Sequence, residues 1–322
     1  MTILLALLLV LAGLALLAGG GDILIRGAVS IARLAGLTTA VIGLTVVALG
    51  TSLPELVVSL LAASRGQPDI AVGNVVGSNI FNIAAILGVT AVIRPVPIHG
   101  AAVKVDWPIM VLVSALGLLV MRDGAIDRFE GAFFVMGLIG FVSFSVWLAR
   151  REVMGAEAQD LAQSVAAHSP PTGWQEVGTS LLLVAGGLIA LVIGGRLLVD
   201  GAVQLARLAG VTERVIGLTI VAAGTSAPEM AASVAAARKG HSDIAVANLL
   251  GSNIFNILGI LGATALVTPI PVALELVRSD AWWMMGVALV LFPLMRVGRS
   301  ITRLEGGLLF AGYVTYVALL LM

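Results

Sequence analysis

The sequence contains no cysteine, which excludes disulfides, thiolate metal centres and a cysteine nucleophile while leaving the cellular compartment open. Charge is nearly as scarce. Asp, Glu, Lys and Arg make up 11% of the 322 residues, against about 25% in a water-soluble globular protein. Eighteen basic residues balance eighteen acidic ones, so net charge recommends neither a nucleic acid nor an anionic surface as partner. Histidine occurs three times, as His99, His168 and His241. None has a second histidine at ligand spacing, and all three read as solvated loop residues. The signatures GxSxG and HExxH are missing too, so the chain reads as a non-enzyme.

What fills the chain instead is 59% hydrophobic residues and 38 glycines, the composition of a polytopic membrane protein whose small residues let helices approach closely. Apolar stretches long enough for about 30 Å of hydrocarbon fall near 2–20, 37–63, 70–93, 106–121 and 130–149, and again near 177–199, 211–237, 244–267, 281–295 and 304–321. The first lacks a basic flank and reads as a span, not a cleaved signal peptide. The expected fold is all-α and polytopic, with ten transmembrane helices. Residues 1–149 form a first half of five helices, 150–176 a cytoplasmic linker, and 177–322 a second half of five. The linker, with Pro170-Pro171, has room for one short amphipathic helix over 157–165. Trp107, Trp147, Trp174, Trp282 and Trp283 sit near span ends and read as interfacial anchors.

The two halves are copies. GAVSIARLAGLTTAVIGLTVVALGTSLPE from Gly27 matches GAVQLARLAGVTERVIGLTIVAAGTSAPE from Gly201, and DIAVGNVVGSNIFNI from Asp69 matches DIAVANLLGSNIFNI from Asp243. Gly27 and Gly201, Glu55 and Glu229, and Asp69 and Asp243 are all 174 residues apart. An odd number of spans per copy makes the second enter the membrane from the opposite side. That predicts an inverted repeat, with a site at the midplane between copies. Loop charges favour both termini outside, ten Lys and Arg in the inner loops against six in the outer. Asp22/Arg196 and Arg26/Asp200 exchange sign between copies and read as helix-end ion pairs. Asp69 and Asp243 read as helix N-caps.

Gly50-Thr51-Ser52-Leu53-Pro54-Glu55 and Gly224-Thr225-Ser226-Ala227-Pro228-Glu229 put hydroxyls, a proline and a carboxylate where a span should be featureless. Ionisable groups at that depth cost several kcal/mol and mark function. Each proline removes a helical N–H and clashes with the carbonyl four residues back, freeing backbone oxygens at Gly50 and Gly224. The next span of each copy adds Ser78 and Asn82, or Ser252 and Asn256, four apart on one helix face. Asn79 and Asn253, one step round, read as backbone braces. All these candidate ligands are oxygens, which points to hard cations such as Ca2+ or Na+. Two carboxylates in a low-dielectric pocket need cations or protons to neutralise them. Because these occupants compete, exchange is the natural product, not free flow.

The doubled GTSxPE followed by GSNIFN resembles the α-repeats of the cation/calcium antiporter superfamily, most closely its sodium/calcium exchangers of prokaryotic type, over nearly the whole chain. The resemblance implies four clustered ion positions, with Glu55 and Glu229 on the central divalent ion and Asn82 and Asn256 beside it. It implies sodium ligation by Thr51, Ser52, Ser78, Thr225, Ser226 and Ser252 and by the carbonyls of Ala48 and Ala222. Long first helices, here 2–35 and 177–209, are expected to slide during alternating access. Where some relatives carry an aspartate, Asn82 and Asn256 are both neutral, which implies no potassium requirement. Three Na+ per Ca2+ is the implied stoichiometry, with proton/calcium exchange through the same glutamates as the alternative. Beyond ions and lipid bilayer, no obligatory protein partner is implied.

Overall fold

The computed structural model describes residues 3–34, 48–98, 102–156, 174–239, 242–296 and 300–322, most of them helical. The first half runs through α1 (Ile3–Leu34), α2 (Ala48–Thr51), α3 (Leu53–Ser64), α4 (Pro68–Ile80), α5 (Gly88–Ile93), α6 (Trp107–Met121) and α7 (Arg128–Ala156). The second follows as α8 (Trp174–Ala209), α9 (Glu213–Ile216), α10 (Ala222–Thr225), α11 (Ala227–Lys239), α12 (Ser242–Phe255), α13 (Gly262–Val267), α14 (Ala281–Arg296) and α15 (Arg303–Leu320). The π-helical stretches Phe81–Leu87, Gly217–Val221, Asn256–Leu261 and Leu276–Asp280 join several of these into longer rods.

Among the described residues, seven helices are long and apolar enough to cross a bilayer, and a pair bent by 44°, Glu213–Thr225 with Ala227–Val234, makes an eighth. Two further spans were expected from the sequence. Of 37–63, residues 37–47 lie outside the described part and the rest is α2 with α3. The other, 304–321, is α15, which opens on Arg303 and Glu305. α7 continues to Ala156 and α8 starts at Trp174, so both enter the 150–176 segment. The helix expected over 157–165 lies outside the described residues, as do His99, His168 and His241.

α1 and α8 pack antiparallel along a seam of glycines spaced by seven: Gly13, Gly20 and Gly27 against Gly194, Gly187 and the turn at Ser180. A Cβ at Gly13 would come within 2.6 Å of the Leu198 main-chain nitrogen, and one at Gly27 within 2.8 Å of the Ser180 carbonyl oxygen. Backbones can meet this closely only where no side chain intervenes, the route to helix association where burial of apolar surface drives nothing. Two small antiparallel ladders tie the halves together at the loops. Val96–Pro97 pairs with Ser300–Ile301, and Ala125–Ile126 with Ile270–Pro271.

Three expectations are corrected. Asp69 stands in the first turn of α4 behind Pro68, and Gln67 is the N-cap residue. Asp22 pairs with Arg26 in its own helix at 2.6 Å, but Asp200 pairs with Arg65 of the first half, not with a residue of α8. Trp107 is no interfacial anchor: its indole N–H donates to the Ala288 carbonyl at 2.7 Å and its ring stacks on Phe292. Trp147 and Trp282 are exposed, as anchors would be.

Candidate ion site

Each GTSxPE element breaks at its serine. Ser52 (φ −89°, ψ 6°) separates α2 from α3, and Ser226 (φ −80°, ψ 9°) separates α10 from α11. The prolines start the second segment, where a missing N–H costs nothing. Glu55 and Glu229 therefore fall in the first turns of α3 and α11, at the positive ends of those helices. A serine at an N-cap ordinarily bonds its own helix. Here neither does so. Ser52 Oγ donates across to Glu229 Oε1 at 3.1 Å and lies 3.3 Å from Ser252 Oγ. Ser226 Oγ donates to Glu55 Oε1 at 2.9 Å and lies 3.1 Å from Ser78 Oγ. Every one of these contacts has its counterpart 174 residues away, so the crossing is reciprocal between the halves.

The remaining predicted residues gather around this crossing. Thr51 lies beside Glu229 and Thr225 beside Glu55. Thr225 Oγ1 also lies within hydrogen-bond distance of the Val221 and Ala222 carbonyls and of Asn74 Oδ1, with one proton to give among them. Ser78 Oγ reaches the Ala222 carbonyl at 3.5 Å. Ala48 opens α2 at the position that Ala222 takes in α10. Asn82 and Asn256 sit at the start of the two π-helical stretches, a local widening that recurs at functional sites.

Asn79 and Asn253 brace the halves against each other, more than the local brace expected of them. Asn79 Nδ2 donates to the Asn253 carbonyl at 3.3 Å, and Asn253 Nδ2 to the Asn79 carbonyl at 3.2 Å. Their own oxygens then accept from Asn256 and Asn82, each at 2.9 Å. Both ligand-candidate amides are thereby oriented nitrogen toward the brace and oxygen away. One contributor was missed. Asn74 Nδ2 donates to the Glu55 carbonyl at 3.2 Å and to Ser59 Oγ at 3.0 Å, fixing the start of α3. The signal was there, since Asn74, Ser78 and Asn82 recur at every fourth position.

Four acceptors remain over. Glu55 Oε2, Glu229 Oε2, Asn82 Oδ1 and Asn256 Oδ1 are buried with no hydrogen-bond partner among the described residues, on side chains that are each 1% exposed. Unmet buried acceptors cost about 1–3 kcal/mol apiece, more if charged. Four hard oxygens, two of them carboxylate, suit Ca2+ or Na+ and leave softer metals poorly served.

The chain as a whole is similar to known proteins. The model of the family described as sodium/calcium exchanger protein matches residues 5–147 and 179–322, nearly the whole chain. The chain belongs to the sodium/calcium exchanger family. It is 32% identical over 341 residues to the sodium/calcium exchanger MaX1 of Methanosarcina acetivorans, covering 97% of each. It is 39% identical over 273 residues to the inner membrane protein YrbG of Escherichia coli, covering 84% of this chain and 82% of that one. A structure of the sodium-calcium exchanger NCX_Mj soaked with Na+ and Sr2+ superposes with a TM-score of 0.66 at 30% identity, covering 98% of this chain and 99% of that one. The exchanger described here is thus a multi-pass membrane cation/Ca2+ antiporter, and its family consists of transporters, not enzymes.

Proposed function

We propose that this exchanger moves Ca2+ against Na+ by alternating access, without potassium, through one site shared by its two halves. Glu55, Glu229, Asn82 and Asn256 hold the divalent ion. Thr51, Ser52, Ser78, Thr225, Ser226, Ser252 and the carbonyls of Ala48 and Ala222 serve Na+. The observation that carries this reading is that the free carboxylate and amide oxygens of Glu55, Glu229, Asn82 and Asn256, two from each half, are buried and unpartnered among the described residues. A dication meets all four at once; several Na+ do so by dividing them. Because both occupants need the same carboxylates, one must leave before the other binds, which couples the fluxes.

Potassium has no added acid to bind, because Asn82 and Asn256 are neutral. The names of MaX1 and NCX_Mj support Na+ as the coupling ion. Repeated sequence and reciprocal contacts support oppositely inserted halves, and the loop charges support both termini outside. Alternating access is supported by a difference between matched residues: Asn74 is fully buried and bonded, whereas Asn248 is half-buried with its amide nitrogen unpartnered among the described residues.

Proteoliposomes loaded with Na+ and given labelled Ca2+ outside test this reading. Uptake should need the outward Na+ gradient, be indifferent to K+, and persist when a pH gradient is collapsed. Uptake driven by a pH gradient and indifferent to Na+ would assign the glutamates to proton/calcium exchange instead.

A further inference from the structure

Away from the ion site, a groove of about 650 Å3 runs between α14 and α15. Its walls are apolar, and its floor is made by three small residues: Ala84, Gly286 and Gly312. A Cβ at Gly286 or Gly312 would meet nothing within 4 Å. From Arg278 to Val290 it follows the helix for about 18 Å at 1.5 Å per residue, a little more than half of about 30 Å of hydrocarbon.

The internal repeat shows that this hollow is not a necessity of the fold. Ala84 corresponds to Leu258 and Gly286 to Leu112. One extra residue at Arg299 shifts the offset beyond it, so that Gly312 corresponds to Gly137. In that other copy Leu258 closes the space, its Cδ2 lying 3.4 Å from where a Cβ on Gly137 would be. Only this groove, between Ala84 of the first half and Gly286 of the second, has small residues where the repeat elsewhere has Leu258 and Leu112.

The ends of the groove differ in charge. Arg278, exposed and with no ion pair or hydrogen bond among the described residues, stands at one end beside Ser279 and the exposed ring of Trp282. Glu305 stands at the other and is held by the Thr302 cap. A guanidinium with free donors beside an aromatic ring at the end of a span fits a phosphodiester headgroup, and the acidic far end opposes the reverse orientation. We propose that this groove is a binding site for one anionic phospholipid, its phosphate on Arg278 and an acyl chain along Gly286 and Gly312.

Native mass spectrometry of the full chain in detergent tests this, with phosphatidylglycerol or phosphatidylcholine added and glycerol phosphate as soluble competitor. One phosphatidylglycerol should be retained, with about fivefold preference over phosphatidylcholine, the factor that one cation near the surface contributes. Arg278→Gln should erase the preference while a neutral lipid still binds. Gly286→Leu should expel both lipids and leave Na+-dependent Ca2+ uptake intact, because neither residue touches the ion site. Equal retention of the two lipids by the native chain overturns the proposal, as does a preference that survives Arg278→Gln. Displacement by glycerol phosphate would show that the headgroup alone is recognised and would overturn the acyl-chain part. If Gly286→Leu does not fold, the Arg278→Gln comparison decides.

Discussion

Asn253 touches no oxygen of the proposed ligand set directly, yet its removal should be felt there. Asn253→Ala deletes an amide that donates to the Asn79 carbonyl at 3.2 Å and an oxygen that accepts from Asn82 at 2.9 Å. Asn79 and Asn82 are 0% and 1% exposed, so water cannot replace either partner. At about 1–3 kcal/mol for each orphaned group, the two losses together destabilise by about 2–6 kcal/mol. The functional effect is separate. Without its brace the Asn82 amide is free to turn, and loss of such an outer partner weakens metal binding by about 10- to 100-fold. Labelled Ca2+ uptake in proteoliposomes should therefore show half-saturation displaced upward by that factor, with thermal unfolding displaced downward. Asn79→Ala should do the same through Asn256. In a double-mutant cycle, Asn253→Ala added to Asn82→Ala should change half-saturation little further, since the group through which it acts has gone. Unchanged half-saturation in Asn253→Ala, or full additivity in the cycle, would refute the positioning argument.

Glu55→Gln and Glu229→Gln should each lower Ca2+ exchange by at least about 100-fold, because a dication then faces one carboxylate instead of two; near-normal uptake in either removes that residue from the site. Arg214→Gln should destabilise the fold by about 3–5 kcal/mol by leaving Asp280, 0% exposed and bonded at 2.6 Å, as an unpaired buried charge. Adding Asp280→Asn should restore much of the loss, measured by thermal unfolding; no recovery would show that the pair is not the cause. Gly194→Leu should disrupt the α1–α8 seam, where a Cβ already comes within 2.9 Å of the Gly13 carbonyl, and should abolish uptake while α14 and α15 still retain lipid.

How much of this was legible beforehand depended on whether the physics was local. Proline and the hydroxyls around Glu55 and Glu229 announce a broken, oxygen-rich helix from spacing alone, and the structure puts the breaks at Ser52 and Ser226. The destination of those hydroxyls was not legible, because a serine at an N-cap normally serves its own helix and these two cross to the other half. Asn79 was read as a local brace for the same reason: nothing in the chain says that the carbonyl it reaches belongs to Asn253. Asp69 looked like a cap until Pro68 displaced the cap to Gln67, and Asp200 found Arg65 across the fold. Trp107 was misjudged because position near a span end does not reveal a carbonyl such as that of Ala288 waiting inside.

The seam between α1 and α8 has one more consequence. Ile25 of α1 abuts Gly50 and Leu14 of the same helix abuts Gly224, so a single rod rests on both broken elements, about 16 Å apart along its axis. Main chain meets main chain across the seam, and Leu24 rests in the space that Gly187 leaves, so slippage of one rod past the other would carry Leu24 off that glycine. Whatever displaces the pair must carry both as one body and act on both elements in the same stroke. Under the proposed alternating access, mechanical linkage of that kind would keep two doors from standing ajar together and let an exchanger hold a gradient without a separate latch on each side.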